Sequence, residues 1–316
     1  MTRILWMVLW AVTWAVVFLL GAALIVAADM LSHHGQRNIE LVSFSGFFAT
    51  GSYVFLLCFS GLPGARSPAG QPATLGAMDG IWAILAFLLL QGAGAVTLLG
   101  VTYAEDLLVH HWQLPYVVHL MSPALPFLSV MAGELAACLW VAWYLRRLGP
   151  ERLADGSASG VAWRPSEWRG YYTAVGMSVG VLLLVAGITR LVPPDMNALK
   201  GTGFDELANG PAWTMPFLLL LIVFLGPALE ELLFRGIMFA GLAQRFGGNW
   251  AWTVTTLVFV AVHAPEKIHY PAGFLDVGLA AVALGWLRLR FNSIRPGMLL
   301  HMLYNAGSML VVAGMK

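Results

Sequence analysis

About nine apolar runs, most of them near twenty residues long, dominate this chain: approximately 4–28, 41–62, 80–102, 121–145, 171–192, 213–241, 250–264, 271–289 and 297–315. A hydrocarbon core about 30 Å thick is crossed by about 20 residues of helix. Lipid offers no partner to an unpaired backbone group, so each run reads as a helix. The expectation is an all-α polytopic membrane protein with about nine transmembrane helices, whose C-terminal helical bundle encloses a polar site. Composition agrees: 59% of residues are hydrophobic and 10% charged, and a mean hydropathy of +0.77 does not describe a soluble domain. The net charge of +1 gives no electrostatic case for nucleic acid as a partner. Cys58 and Cys138 both lie inside apolar runs, which argues against a disulfide framework or a thiolate metal site.

The first run follows Arg3 and ends near "VAAD" (26–29), a small-residue pattern like a signal cleavage site. Its apolar stretch is longer than a signal core, so a retained anchor is expected. Orientation follows the basic residues. Arg146, Arg147, Arg152, Arg164 and Arg169 fall in the segment 146–170, which places that segment in the cytoplasm. Alternation then puts Arg3, Arg66, Arg245, Arg288, Arg290 and Arg295 on the same side, against Arg37, Lys200, Lys267 and Lys316 on the other. The N-terminus is expected inside. The same Gly-, Ser-, Pro- and charge-bearing segment divides the chain into an N-terminal four-helix membrane region (1–145), a cytoplasmic linker (146–170) and a C-terminal domain (171–316). No internal repeat relates the halves, which weakens a secondary-transporter reading.

"LEELLFRG" (229–236) places three charges in the middle of an apolar run. Each costs about 2.5–3.5 kcal/mol at the centre of an isolated membrane helix, so together they require compensation. At 100° per residue Arg235 lies about 40° around the helix from Glu231 but about 140° from Glu230. The arginine therefore neutralises Glu231 and leaves Glu230 without a partner on its own helix. Such a pair of carboxylates either fastens neighbouring helices or supplies a desolvated general base.

Two further motifs bear on that choice. "FVAVHAPEK" (259–267) sets His263 one turn after Phe259, with Pro265 closing the helix, and "RPGMLLHMLYNAG" (295–307) puts His301 and Asn305 on one helical face. Each also has a purely structural reading as an interhelical hydrogen bond. Counted at about 1.5 Å per residue from the cytoplasmic ends, Glu230 lies about 16 Å deep, His263 about 20 Å, Asn305 about 12 Å and His301 about 6 Å. These depths permit one buried constellation.

"EELLFR" (230–235), "FVAVH" (259–263) and "HMLYN" (301–305), in that order and on successive helices with one intervening span, resemble the EExxxR, FxxxH and HxxxN motifs of the CAAX protease and bacteriocin-processing (CPBP, or abortive-infection) family. The resemblance covers roughly 171–315. It implies a glutamic-type intramembrane endopeptidase without a cofactor. By that resemblance Glu230 and His263 activate water, His301 and Asn305 stabilise the oxyanion, and Glu231 with Arg235 completes the catalytic set. An amide and an imidazole are donors of the type an oxyanion requires.

Other chemistries remain open on the residues alone. Two histidines and a glutamate make a three-ligand zinc site conceivable, although no H-E-x-x-H is present. A non-catalytic scaffold or immunity protein, or a proton-coupled carrier using Glu230 and Glu134, belongs to a different class. The absence of a G-x-S-x-G elbow and of a P-loop argues against a serine hydrolase and a nucleotide-driven pump. Gln91, Glu134, Arg190 and Asp276 read as interhelical bonds or cavity lining. His33–His34 and His110–His111 read as solvated loop pairs, and Trp163, Trp168, Trp250 and Trp252 as interfacial residues. The expected partners are the bilayer and a membrane-associated protein or peptide: a prenylated C-terminus, a peptide precursor or a sorting tail. Arginine over lysine and abundant Ala and Gly suggest a GC-rich bacterial genome and hence the bacterial inner membrane, where prenylated proteins are unlikely substrates.

Overall fold

The computed structural model describes residues 75–92, 125–195, 214–268 and 270–314. The runs 4–28 and 41–62, Cys58, the paired histidines and the N-terminal orientation lie outside them. Every regular element among the described residues is a helix. In chain order these are α1 (Ala77–Gly92), α2 (Leu125–Leu148), α3 (Pro150–Ala154), α4 (Trp168–Leu191), α5 (Met215–Phe246), α6 (Gly248–Val262), α7 (Ala264–Lys267), α8 (Gly273–Phe291) and α9 (Arg295–Gly314).

The all-α expectation holds. The count of nine crossings is not reproduced: among the described residues α4 and α5 are long and apolar enough to span a membrane, while α1 and α6 are apolar but shorter. For α2, α4, α6, α8 and α9 the helix boundaries fall within a few residues of the apolar runs, whereas α5 continues to Phe246 and the end of the run 80–102 lies outside the described residues. Gly247, at φ 85°, then makes the turn into α6, a backbone conformation that favours glycine. Asn292, at φ 49°, ends α8 in the left-handed conformation that asparagine tolerates.

The chain forms two compact units. In the first, the C-terminal half of α1 meets α2 where Gly133 lies against the Gln91 backbone, and the Gln91 side chain donates to Glu134. Those two residues thus form the interhelical bond expected of them. In the second unit, α9 packs on α4, and α8 packs on α4, α6 and α9. The shared core is built from Ala174 and Val181 of α4, Ala280, Ala283, Leu284 and Leu287 of α8, and Leu300 of α9. In lipid, apolar burial does not drive helices together, and small residues that admit close van der Waals contact take over that role. Gly285 of α8 is such a position, since the Trp252 ring fills the space a Cβ would need. The Trp252 ring nitrogen donates to the Val282 carbonyl at 3.1 Å, so this tryptophan joins α6 to α8.

The segment 146–170 carries α3 and a loop tied down through its backbone. Val161, Ala162 and Trp163 donate to carbonyls of Arg152, Asp155 and Leu153. Ile294 donates back to Ala162, and the Ser293 hydroxyl to Arg164 O at 2.6 Å. Arg288, counted above among the flanking basic residues, is not a flanking charge: it is 1% exposed, and its Nη2 donates to Ser157 O and Gly160 O of this loop. Arg190 is exposed at the end of α4, whereas Asp276 is buried in α8, with an Oδ1 that accepts no hydrogen bond from the described residues.

Candidate active site

α5 is not a uniform α-helix, contrary to the 100° spacing used above. Leu221–Leu225 and Leu232–Met238 are wide i→i+5 turns, and the six residues Gly226–Glu231 between them carry both glutamates. Such π segments are rare and tend to occur at functional positions. Pro227 explains the first. It has no N–H, and its ring would clash with the carbonyl four residues back, a conflict that widening relieves. The Gly226 N–H reaches Leu221 O rather than Ile222 O, and the next residue has no hydrogen to offer. Ile222 O is instead met from α9, where Asn305 Nδ2 donates to it at 2.8 Å.

Glu231 and Arg235 are fully buried. Arg235 Nη1 donates to Glu231 Oε1 at 3.0 Å, as the i,i+4 spacing predicts, and its Nη2 donates to Ala281 O of α8 at 3.2 Å. The same Oε1 lies 3.2 Å from His301 Nδ1. Glu231 therefore joins the first and third motifs. Glu230 points elsewhere: its side chain keeps 28% of its exposure, and its Oε2 stands 3.8 Å from His301 Nε2. That oxygen accepts no hydrogen bond from the described residues.

His263 lies just past the end of α6 at φ −85°, ψ 1°, in the sparsely populated bridge region. Its Nδ1 is 2.7 Å from Phe259 O. A carbonyl only accepts, so Nδ1 carries the hydrogen and the neutral ring presents the Nε2 lone pair, the form a base requires.

Phe259, 2% exposed, organises the cluster. Its ring lies against His263 at 4.5 Å between centroids, tilted by 38°, and meets His301 edge-on at 5.9 Å and Phe234 at 5.0 Å. The Arg235 guanidinium lies 4.3 Å from its centroid, a cation–π contact that offsets part of the cost of burying that charge. Arg235, His263 and His301 thus touch one aromatic ring, and Glu230 and Glu231 join the cluster through His301. Asn305 sits one turn along α9 from His301, against Ile222, and retains one amide hydrogen for another acceptor.

The sequence reading missed Phe259 as the hub, and it missed Gly297. A Cβ at residue 297 would stand 3.1 Å from Glu231 Oε2, and Glu231 cannot retreat while its other oxygen holds Arg235 and His301. Gly297→Ala is therefore expected to lower stability by about 1–3 kcal/mol and to reduce activity, measured as the thermal midpoint and turnover of detergent-purified protein. An unchanged midpoint would mean that Glu231 has slack.

One comparison with known families finds a match within the C-terminal half. Residues 211–307 match the family model of the Rce1-like type II CAAX prenyl endopeptidases. The matched stretch holds all three motifs and bears out the CPBP resemblance. It is narrower than the 171–315 read from the motifs, since it begins just before α5 and leaves out α4. No curated protein and no solved structure matches the chain. The Rce1-like segment coincides with the helices that carry the polar cluster, α5, α6 and α9, together with α8 between them. Among the described residues no three His, Cys, Asp or Glu side chains gather at metal-binding spacing.

Proposed function

We propose that this integral membrane protein is an intramembrane endopeptidase of the glutamic type. One observation carries the reading. Glu231 is held by Arg235 and His301, whereas Glu230, its neighbour in sequence, is half-buried with an unengaged oxygen beside a histidine. The match of residues 211–307 to CAAX prenyl endopeptidases supports the same chemistry. Glu230 takes one proton from a water whose other hydrogen is held by the Nε2 lone pair of His263, and the water oxygen attacks the scissile carbonyl. The remaining Asn305 amide hydrogen donates to the negative charge that develops on the carbonyl oxygen, and His301, whose Nδ1–H is taken by Glu231, adds a second donor through Nε2 in its doubly protonated form. Collapse breaks the C–N bond, and the proton held by Glu230 passes to the leaving amine. Glu231 and Arg235 position His301 and do not touch the substrate.

The substrate class follows as a membrane-associated protein or peptide precursor, in a bacterial inner membrane with the N-terminus inside. Purified protein is expected to release a fragment from a farnesylated CAAX peptide or from a precursor in the host membrane fraction, and to continue after stringent chelation. Loss of cleavage on chelation, restored by zinc, would replace this mechanism with zinc hydrolysis. No fragment from either source would overturn the peptidase reading.

A further inference from the structure

The second wide turn of α5 poses the same problem as the first. An α-helix would bring the Phe239 N–H to Arg235 O, but that N–H is shared between Gly236 O, three residues back, and Phe234 O, five residues back, and bypasses Arg235 O. Arg235 O is met instead by Arg288 of α8, whose Nε donates to it at 3.1 Å. The Arg288 guanidinium also lies 4.9 Å from the Phe239 ring centroid and holds Ser157 O and Gly160 O through Nη2. Each wide turn thus loses one carbonyl partner, and each lost partner is replaced by a side chain from another helix: Asn305 for Ile222, Arg288 for Arg235. A buried carbonyl left without a donor costs about 1–3 kcal/mol.

We propose that Arg288 is a positioning residue for the glutamate site: by capping Arg235 O it holds the wide register of residues 232–238, and that register places Arg235 and, through it, Glu231 and His301. The activity arm of the test rests on the peptidase reading above, whereas the exchange arm does not. Arg288 also fastens the 155–164 loop, so loop docking must be separated from register. Ser293→Ala does this, because it removes the hydroxyl bond to Arg164 O and leaves Arg288 in place.

The experiment compares hydrogen exchange and cleavage of a farnesylated CAAX peptide for the full chain in detergent, in wild type, Arg288→Ala, Arg288→Lys and Ser293→Ala. Arg288→Ala is expected to accelerate exchange across 232–240 and to lower kcat by about 10²-fold, the scale of a small displacement of catalytic groups, with KM held. Ser293→Ala is expected to accelerate exchange in the loop and at the first turn of α9, where its hydroxyl accepts the Arg295 N–H at 3.2 Å, but not across 232–240, with kcat near wild type. Arg288→Lys keeps one donor but cannot span the carbonyls that a planar guanidinium reaches, so intermediate exchange at 232–240 is expected. It carries the test if the alanine variant does not accumulate. Wild-type exchange at 232–240 in the Arg288 variants, or the same acceleration there in Ser293→Ala, would overturn the proposal. A wild-type protein that exchanges as expected but cleaves neither this peptide nor a precursor in the host membrane fraction would count against the peptidase reading and leave the register assignment standing.

Discussion

Glu230→Gln protein is expected to reach the membrane in normal amount, to unfold at the wild-type temperature and to cleave nothing detectable. The substitution keeps the size and shape of the side chain, and Glu230 holds no arginine whose loss would destabilise the fold. In the proposed mechanism it removes the group that takes the proton from water, a contribution of about 10²–10⁴ in rate. His263→Ala is expected to behave alike, since the His263 ring contacts Phe259 and carries no ion pair. The measurement is turnover against folded protein, with membrane-fraction proteomics to reveal a precursor that accumulates only in the variant. Wild-type turnover by a well-expressed Glu230→Gln protein would end the assignment, because the neighbouring carboxylate is already engaged.

Glu231→Gln is expected to fail differently. It leaves Arg235 as a fully buried cation without its counter-charge, and breaking one side of a buried pair costs about 3–5 kcal/mol. A lower thermal midpoint and lower yield should accompany lost activity. Replacing both members, as Glu231→Leu with Arg235→Leu, removes the stranded charge and should recover stability relative to either single variant. Activity should stay absent, because His301 Nδ1 has then lost the oxygen that orients it. A double variant no more stable than the singles would show that the pair does not act as a charge-compensated unit.

The contrast between these neighbours was legible in the sequence because it is local. Glu231 and Arg235 lie four apart on one helix, and no knowledge of the rest of the fold is needed to pair them. The apolar runs likewise located the helices of the second unit closely. What escaped depends on contacts far apart in the chain. Phe259 touches side chains from α5 and α9, Gly297 makes room for an oxygen 66 positions earlier (297 minus 231), and Arg288 reads as a flanking charge until α8 is seen to bury it. The wide turns of α5 escaped for another reason. Hydropathy along 215–246 is the same whether the register is i→i+4 or i→i+5, and Pro227 alone marks a disturbance. The segment 146–170 looked like a linker because its side chains are polar, but backbone bonds and two side chains from α8 and the α8–α9 turn, Arg288 and Ser293, hold it in place.

The proton on His263 is assigned by a main-chain oxygen, and that has a consequence for how the site tolerates change. Every amino acid supplies a carbonyl at position 259, so substitution there leaves the donor and the lone pair of the imidazole where they are. The Phe259 side chain has a separate duty: it spaces His263 from His301 and shelters the Arg235 charge. The tautomer of His263 and its placement are therefore encoded in different atoms of one residue. Mutational drift at 259 erodes the second by degrees while the first is kept whole.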